Sequence, residues 1–181
     1  MLRRKVSPPT GPQLRTSNGI TLSISDRYLE RGLHLYQQKK FAEALADLDE
    51  AIRNAPIFAE LYVTRAAILY ELERDDEATE DAEYALRLDP RQWIGHYVLG
   101  MIAIRRENFP QAVEYFSQAQ RYAPTRPEIF FSRAIAFHQQ DEMTLAYYDM
   151  DSALQVMKSD DKRRKDATKF VTQVKPAKKK K

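Results

Sequence analysis

The sequence predicts an all-α protein assembled from repeated helix pairs, and three observations carry that prediction. Glycine is scarce, with five among 181 residues, and strong helix formers dominate. The stretch EALADLDEAIRNAP at 43–56 returns as EATEDAEYALRLDP at 77–90, QAVEYFSQAQRYAP at 111–124 and LAYYDMDSALQVMK at 145–158. Each return is a shift of 34 residues, a period that marks stacked supersecondary units. Finally, small residues keep their places in every copy. The pairs are Ala44 and Ala51, Ala78 and Ala85, Ala112 and Ala119, and Ala146 and Ala153. A second column runs Gly32, Ala66, Gly100 and Ala134.

Each column has a physical reason. Seven residues are almost two helical turns, so both alanines of a pair lie on one face, where a stripe of methyl groups admits a close neighbour. A mid-helix glycine costs about 0.5–1 kcal/mol relative to alanine, which makes sense at Gly32 and Gly100 if backbones touch there. Pro56, Pro90 and Pro124 stop the second helix of each pair and begin the next turn, a place taken by Lys158 in the last copy. Leu35, Leu48, Leu69, Phe116, Phe137 and Met150 fill between the small positions. Four units follow: 25–58, 59–92, 93–126 and 127–160. Beyond them, Ala167, Phe170, Val171 and Val174 keep the spacing of one helical face, so 161–174 is expected to form a short capping helix with Asp160 or Asp161 at its N-terminus.

The 34-residue spacing, the alanine pair, the Gly/Ala column and the closing proline resemble the tetratricopeptide repeat. The family's aromatic near the start of the first helix is met by Tyr28, Tyr62 and Phe130, with His96 in the third unit. Its aromatic at the start of the second helix is met by Phe41 and Phe109, with Asp75 and Met143 elsewhere. The resemblance implies an α-solenoid of four antiparallel helix pairs in a right-handed superhelix. It also implies that the first helix of each pair lines a concave, ligand-binding face, and that the protein is a non-catalytic interaction scaffold or adaptor.

That face can be read by register. One row is Leu29, Val63, Tyr97 and Phe131; the next is Leu33, Ala67, Met101 and Ile135; a third is Tyr36, Tyr70, Ile104 and His138. An apolar groove of this kind is expected to receive an apolar peptide or an amphipathic helix of a partner protein. Two other uses of the same side chains stay open: packing between neighbouring first helices, and cover by the N-terminal arm through Ile20, Leu22 and Ile24. The family's charged version, a clamp for the acidic tails of heat-shock chaperones, is not matched. Its positions hold Leu29, Leu33, Thr64, Ile94 and Val98.

Charge is distributed unevenly. The net +3 combines a basic arm at 1–24, with four bases and no acid, and a basic end at 158–181, with eleven bases and three acids. The body at 25–157 carries 14 bases against 23 acids. The arm and the Lys-rich tail at 175–181 are expected to be disordered. Clustered lysines attract nucleic acid, acidic proteins or anionic lipid, so a nucleic-acid- or ribosome-associated factor is the alternative reading.

No enzyme signature emerges. The histidines His34, His96 and His138 lie far apart, and glycine-rich phosphate loops and nucleophile elbows are missing. The acidic runs at 47–50 and 73–83 lack the ligand alternation of a calcium loop, and Asp76, Glu80 and Glu83 read as a solvated helix face. No cofactor or metal is expected. Without cysteine, a signal segment or a long apolar run, the expected location is cytoplasmic. The oligomeric state stays open.

Overall fold

Residues 13–15 and 21–174 are described in a computed structural model of the chain. Among them, four helix pairs follow in order, the last three opening at 59, 93 and 127, where the repeat register places them. They are α1 (Ile24–Gln37) with α2 (Phe41–Asn54), α3 (Ala59–Glu71) with α4 (Asp75–Leu88), α5 (Trp93–Arg105) with α6 (Phe109–Tyr122), and α7 (Pro127–Gln139) with α8 (Met143–Val156). A shorter α9 (Arg164–Gln173) packs on α8. The array is the all-α solenoid of four units plus a terminal helix that the repeats predict.

The N-terminal arm departs from expectation. Two short strands, β1 (Gln13–Arg15) and β2 (Thr21–Ser23), pair antiparallel, with Leu14 opposite Leu22. Ser23 then caps α1: its hydroxyl accepts from the Asp26 amide, while the Asp26 carboxylate accepts from the Ser23 amide. This capping box satisfies two otherwise orphaned donors. Leu22 is thus in a strand and Ile24 opens α1, which starts one residue before the expected boundary. Ile20, most of the arm and the Lys-rich tail at 175–181 lie outside the described residues.

The small-residue columns form the contact seam. All eight paired alanines, together with Ala66 and Ala134, are fully buried. Each member of the Gly/Ala column faces the residue 16 positions on, and the two sizes complement each other. Gly100 lies under the ring of fully buried Phe116, where a Cβ would come within 2.6–2.9 Å of three ring carbons. Gly32 faces Leu48, where a Cβ would make ordinary contact at 3.4 Å. Ala66 packs in one cluster with Ala82, and Ala134 in one with Met150.

A second 16-residue relation was not anticipated. Arg31 pairs with Asp47, Arg65 with Asp81 and Arg133 with Asp149, each through two hydrogen bonds. The second unit's contacts are 2.7 and 2.8 Å; the fourth's are 2.6 and 2.8 Å. This bidentate geometry is the strong form of ion pair. Asp47 and Asp81 therefore belong to the helix-pairing interface rather than to solvated acidic runs. Two of these arginines also reach back one unit: Arg65 to Asp49, and Arg133 to Ser117 Oγ and Gln120 Oε1. In the third unit, Leu99 and Tyr115 stand at the corresponding places.

The turns repeat as faithfully. Lys39, Glu73, Glu107 and Asp141 adopt φ of 57–59°. In each turn the next amide donates to a carbonyl five residues back, as Lys40 does to Leu35 and Asn108 to Ala103. This is the Schellman closure, which usually employs glycine. Non-glycine residues here carry about 1–2 kcal/mol of left-handed strain each. Between units, Tyr62 donates its hydroxyl proton to the Pro56 carbonyl at 3.0 Å. In the next unit His96 does the tyrosine's work, with Nε2 donating to the Pro90 carbonyl at 3.1 Å. The exposed prolines thus mark the turns and offer their carbonyls.

The terminal helix starts at Arg164, later than the expected 161, and neither Asp160 nor Asp161 caps it. Asp161 instead accepts from the amide and guanidinium of Arg163. Those bonds hold its carboxyl down at about 2. Ala167 is fully buried against the fourth unit, with Phe170 and Val171 packed beside it.

Five outcomes follow from this packing. Gly32→Ala should keep or raise the melting temperature, because alanine is the better helix former by about 1 kcal/mol. Gly100→Ala should lower it, because the Phe116 ring must move. Arg133→Ala should cost about 3–5 kcal/mol in denaturant unfolding, since it strands Asp149 at 11 % side-chain exposure. Arg31→Ala should cost a comparable amount, because it strands Asp47 at 7 % side-chain exposure. Asp161 is depressed in the folded state, so its contribution is complete above about pH 4 and lost as pH falls toward 2. Protection of the α9 amides, measured relative to their intrinsic exchange rates, should fall across that window, and Asp161→Asn should remove the dependence.

Candidate functional site

The concave face is built by α1, α3, α5 and α7, and burial divides its expected residues. Leu29 is 8 % exposed and Val63 is fully buried, so neither presents surface to a ligand. Their burial corrects the reading of the first row as groove lining throughout. Val63 is enclosed because Gly95 in α5 has no side chain; a Cβ there would sit 3.4 Å from Val63 Cγ1 and 3.2 Å from Leu86. That glycine lies outside both repeat columns, and only its position on α5 facing α3 reveals its role.

The rest of the first row is half-buried. Tyr97 packs its ring on Phe116 at 5.6 Å and shares a 3.2 Å hydrogen bond with Ser132 Oγ. Burial raises the pKa of Tyr97, as does the nearby Glu128 charge. Phe131 packs with the last-unit cluster, and the Arg163 guanidinium stands 5.9 Å from its ring centre.

The other two rows supply the accessible surface. Leu33 is exposed, and Ala67, Met101 and Ile135 are half-exposed. Tyr36, Tyr70 and Ile104 are half-exposed beside them, while His138 is exposed and meets the Phe170 ring edge-on at 5.6 Å. Burial pushes the Tyr36 phenol up, reinforced by the negative charge of Glu71. The result is an apolar, tyrosine-rich strip that crosses all four units.

Charged residues on this strip escaped the row-by-row reading, although the same register places them. Arg105 lies over the Tyr70 ring at 4.0 Å and is tied to the Tyr70 carbonyl and to Asp75. A guanidinium over an aromatic face is attracted by the ring quadrupole. The positions of the chaperone-tail clamp are apolar or sealed. Leu29, Thr64 and Val98 are buried, and the Thr64 hydroxyl donates to the Glu60 carbonyl at 2.7 Å. Among the described residues, no group of three histidine or carboxylate side chains could hold a metal ion, and no helix is long and apolar enough to cross a membrane.

Known proteins place this geometry in a family. The tetratricopeptide repeat family model matches residues 29–92 and 97–161, more than half of the chain. A wheat (Triticum aestivum) relative, the Hsp70-Hsp90 organizing protein, is 30 % identical over 106 residues, covering 59 % of this chain and 18 % of the relative. The chain thus spans about a fifth of that relative's length. Among solved structures, a thermophilic tetratricopeptide-repeat protein of Thermus thermophilus superposes with a TM-score of 0.69 at 19 % identity, covering 83 % of this chain and 80 % of that one. The first repeat domain of Spaghetti (RPAP3), bound to the HSP90 peptide SRMEEVD, superposes with a TM-score of 0.60 at 16 % identity, covering 65 % and 93 %. At these identities the solved structures attest the fold, while the family match spans the repeats themselves. The four in-register units and that match together make this chain a member of the tetratricopeptide repeat family.

Proposed function

We propose that the chain is a cytoplasmic, non-catalytic adaptor that holds an apolar peptide or an amphipathic helix of a partner protein along its concave face. One observation carries the reading: the strip of Leu33, Tyr36, Tyr70, Met101, Ile104 and Ile135 stays at least partly open to solvent after every helix is packed. Large apolar surface left open is costly unless something covers it. Support comes from a neighbour of the same fold that holds a peptide, and from a chaperone-organizing relative. Of the clamp positions, the accessible Leu33 and Ile94 are apolar and favour apolar anchoring over the grip of a charged clamp.

Leu33→Asn and Ile135→Asn place polar groups at accessible positions without disturbing the buried seam. Crosslinked affinity capture followed by mass spectrometry should recover the wild-type partner set, and the double variant should lose it while keeping the wild-type melting temperature. Equal recovery from both would show that partners bind elsewhere.

A further inference from the structure

The groove has a sign as well as a shape. With 3.6 residues per turn, Glu60 and Glu71 fall within about 40° of Ala67, at the two ends of the accessible stripe of α3. The same register brings Asp26 and Glu30 onto α1 beside Leu33, and Glu128 onto α7 beside Ile135. Glu30, Glu60 and Glu71 are exposed and have no ion-pair or hydrogen-bond partner for their carboxylates among the described residues. Glu128 has only a distant contact with Arg126, at 3.9 Å. Burial raises the phenols of Tyr36 and Tyr97 inside the strip, and the charges of Glu71 and Glu128 add to it.

The basic groups here are already engaged. Arg105 is paired with Asp75 and Arg163 with Asp161. Both also lie over groove rings, Tyr70 and Phe131, so the aromatic surface already accommodates guanidinium from within the chain. An apolar strip flanked by the unpaired carboxylates of Glu30, Glu60 and Glu71 is complementary to a ligand that combines apolar anchors with positive charge.

We infer that the groove takes a cationic amphipathic segment of another protein, with lysine or arginine between its apolar anchors, and discriminates against acidic tails. This inference rests on the concave strip being the binding site. It separates the chain from its peptide-bound neighbour, whose peptide SRMEEVD carries a run of acids. Selectivity comes from the carboxylates and affinity from the apolar rows.

Fluorescence anisotropy on the full chain tests it with three labelled probes: an amphipathic peptide of leucine and lysine, its counterpart with glutamate for every lysine, and SRMEEVD. The lysine probe should bind at least about tenfold more tightly than either acidic one. Glu60→Gln with Glu71→Gln should cut that preference by roughly three- to tenfold, while Glu80→Gln with Glu114→Gln on the outer face should leave it unchanged. Should the outer-face pair abolish the preference instead, the inference is overturned. It is also overturned if the glutamate probe binds as well as the lysine probe while Leu33→Asn with Ile135→Asn weakens both; the groove reading then stands. If that double variant leaves both probes unaffected, the groove reading itself fails. Replacing Arg3, Arg4 and Lys5 with serine checks the chain's own arm: a large gain in lysine-probe affinity would make the arm the occupant and overturn the assignment to another protein.

Discussion

Everything in this molecule depends on how closely two helices can approach at a small residue. Where Gly100 meets Phe116, removing one methyl group lets a whole aromatic ring enter the seam between α5 and α6. Where Ala66 meets Ala82, two methyl groups share the approach evenly. Each unit solves the same volume problem with a different pair, because interiors tolerate exchange of size between facing positions but not voids or overlap. A unit that solved it badly would tilt every later unit, since each repeat contacts only its neighbours. The curvature of the concave face is therefore written in residues that never touch a ligand.

The arginine–aspartate pairs complement this seam. Close apolar approach is non-directional, whereas a bidentate guanidinium fork has a required geometry. Arg65 and Arg133 each bridge their own unit to the preceding one, so they orient units as well as helices. Buried ion pairs add little net stability once desolvation is counted, and their value here lies in orientation. The third unit does without the pair: Leu99 is buried and Tyr115 half-buried in its place.

A similar division of labour shapes the groove. The fold commits Val63 wholly and Leu29 nearly so to packing, and leaves the next two rows of the first helices at least partly open to solvent. Carboxylates at the ends of the stripe add a sign to a surface that apolar contact alone would leave unselective. Under the proposed binding mode, affinity and selectivity come from separate residues on one face, a division that lets a common scaffold serve different partners.

Much of this was legible in the sequence. A 34-residue period with recurring alanines determined the number of helix pairs and the buried seam, because close packing forbids large residues at those places. Which residues share one face of each first helix was legible for a related reason, since helical geometry alone decides it. His96 was legible only as an exception; its tyrosine-like bond to Pro90 required the turn of the preceding unit to be in place. The Arg–Asp columns were present in the spacing, yet their meaning depended on two helices meeting, since an acidic residue reads as solvated until a guanidinium is brought across from another helix. Burial of Val63 was decided by tertiary structure alone. Periodicity places a residue on a face, but only the distance to the next helix, set here by Gly95, determines whether solvent or a partner can reach it.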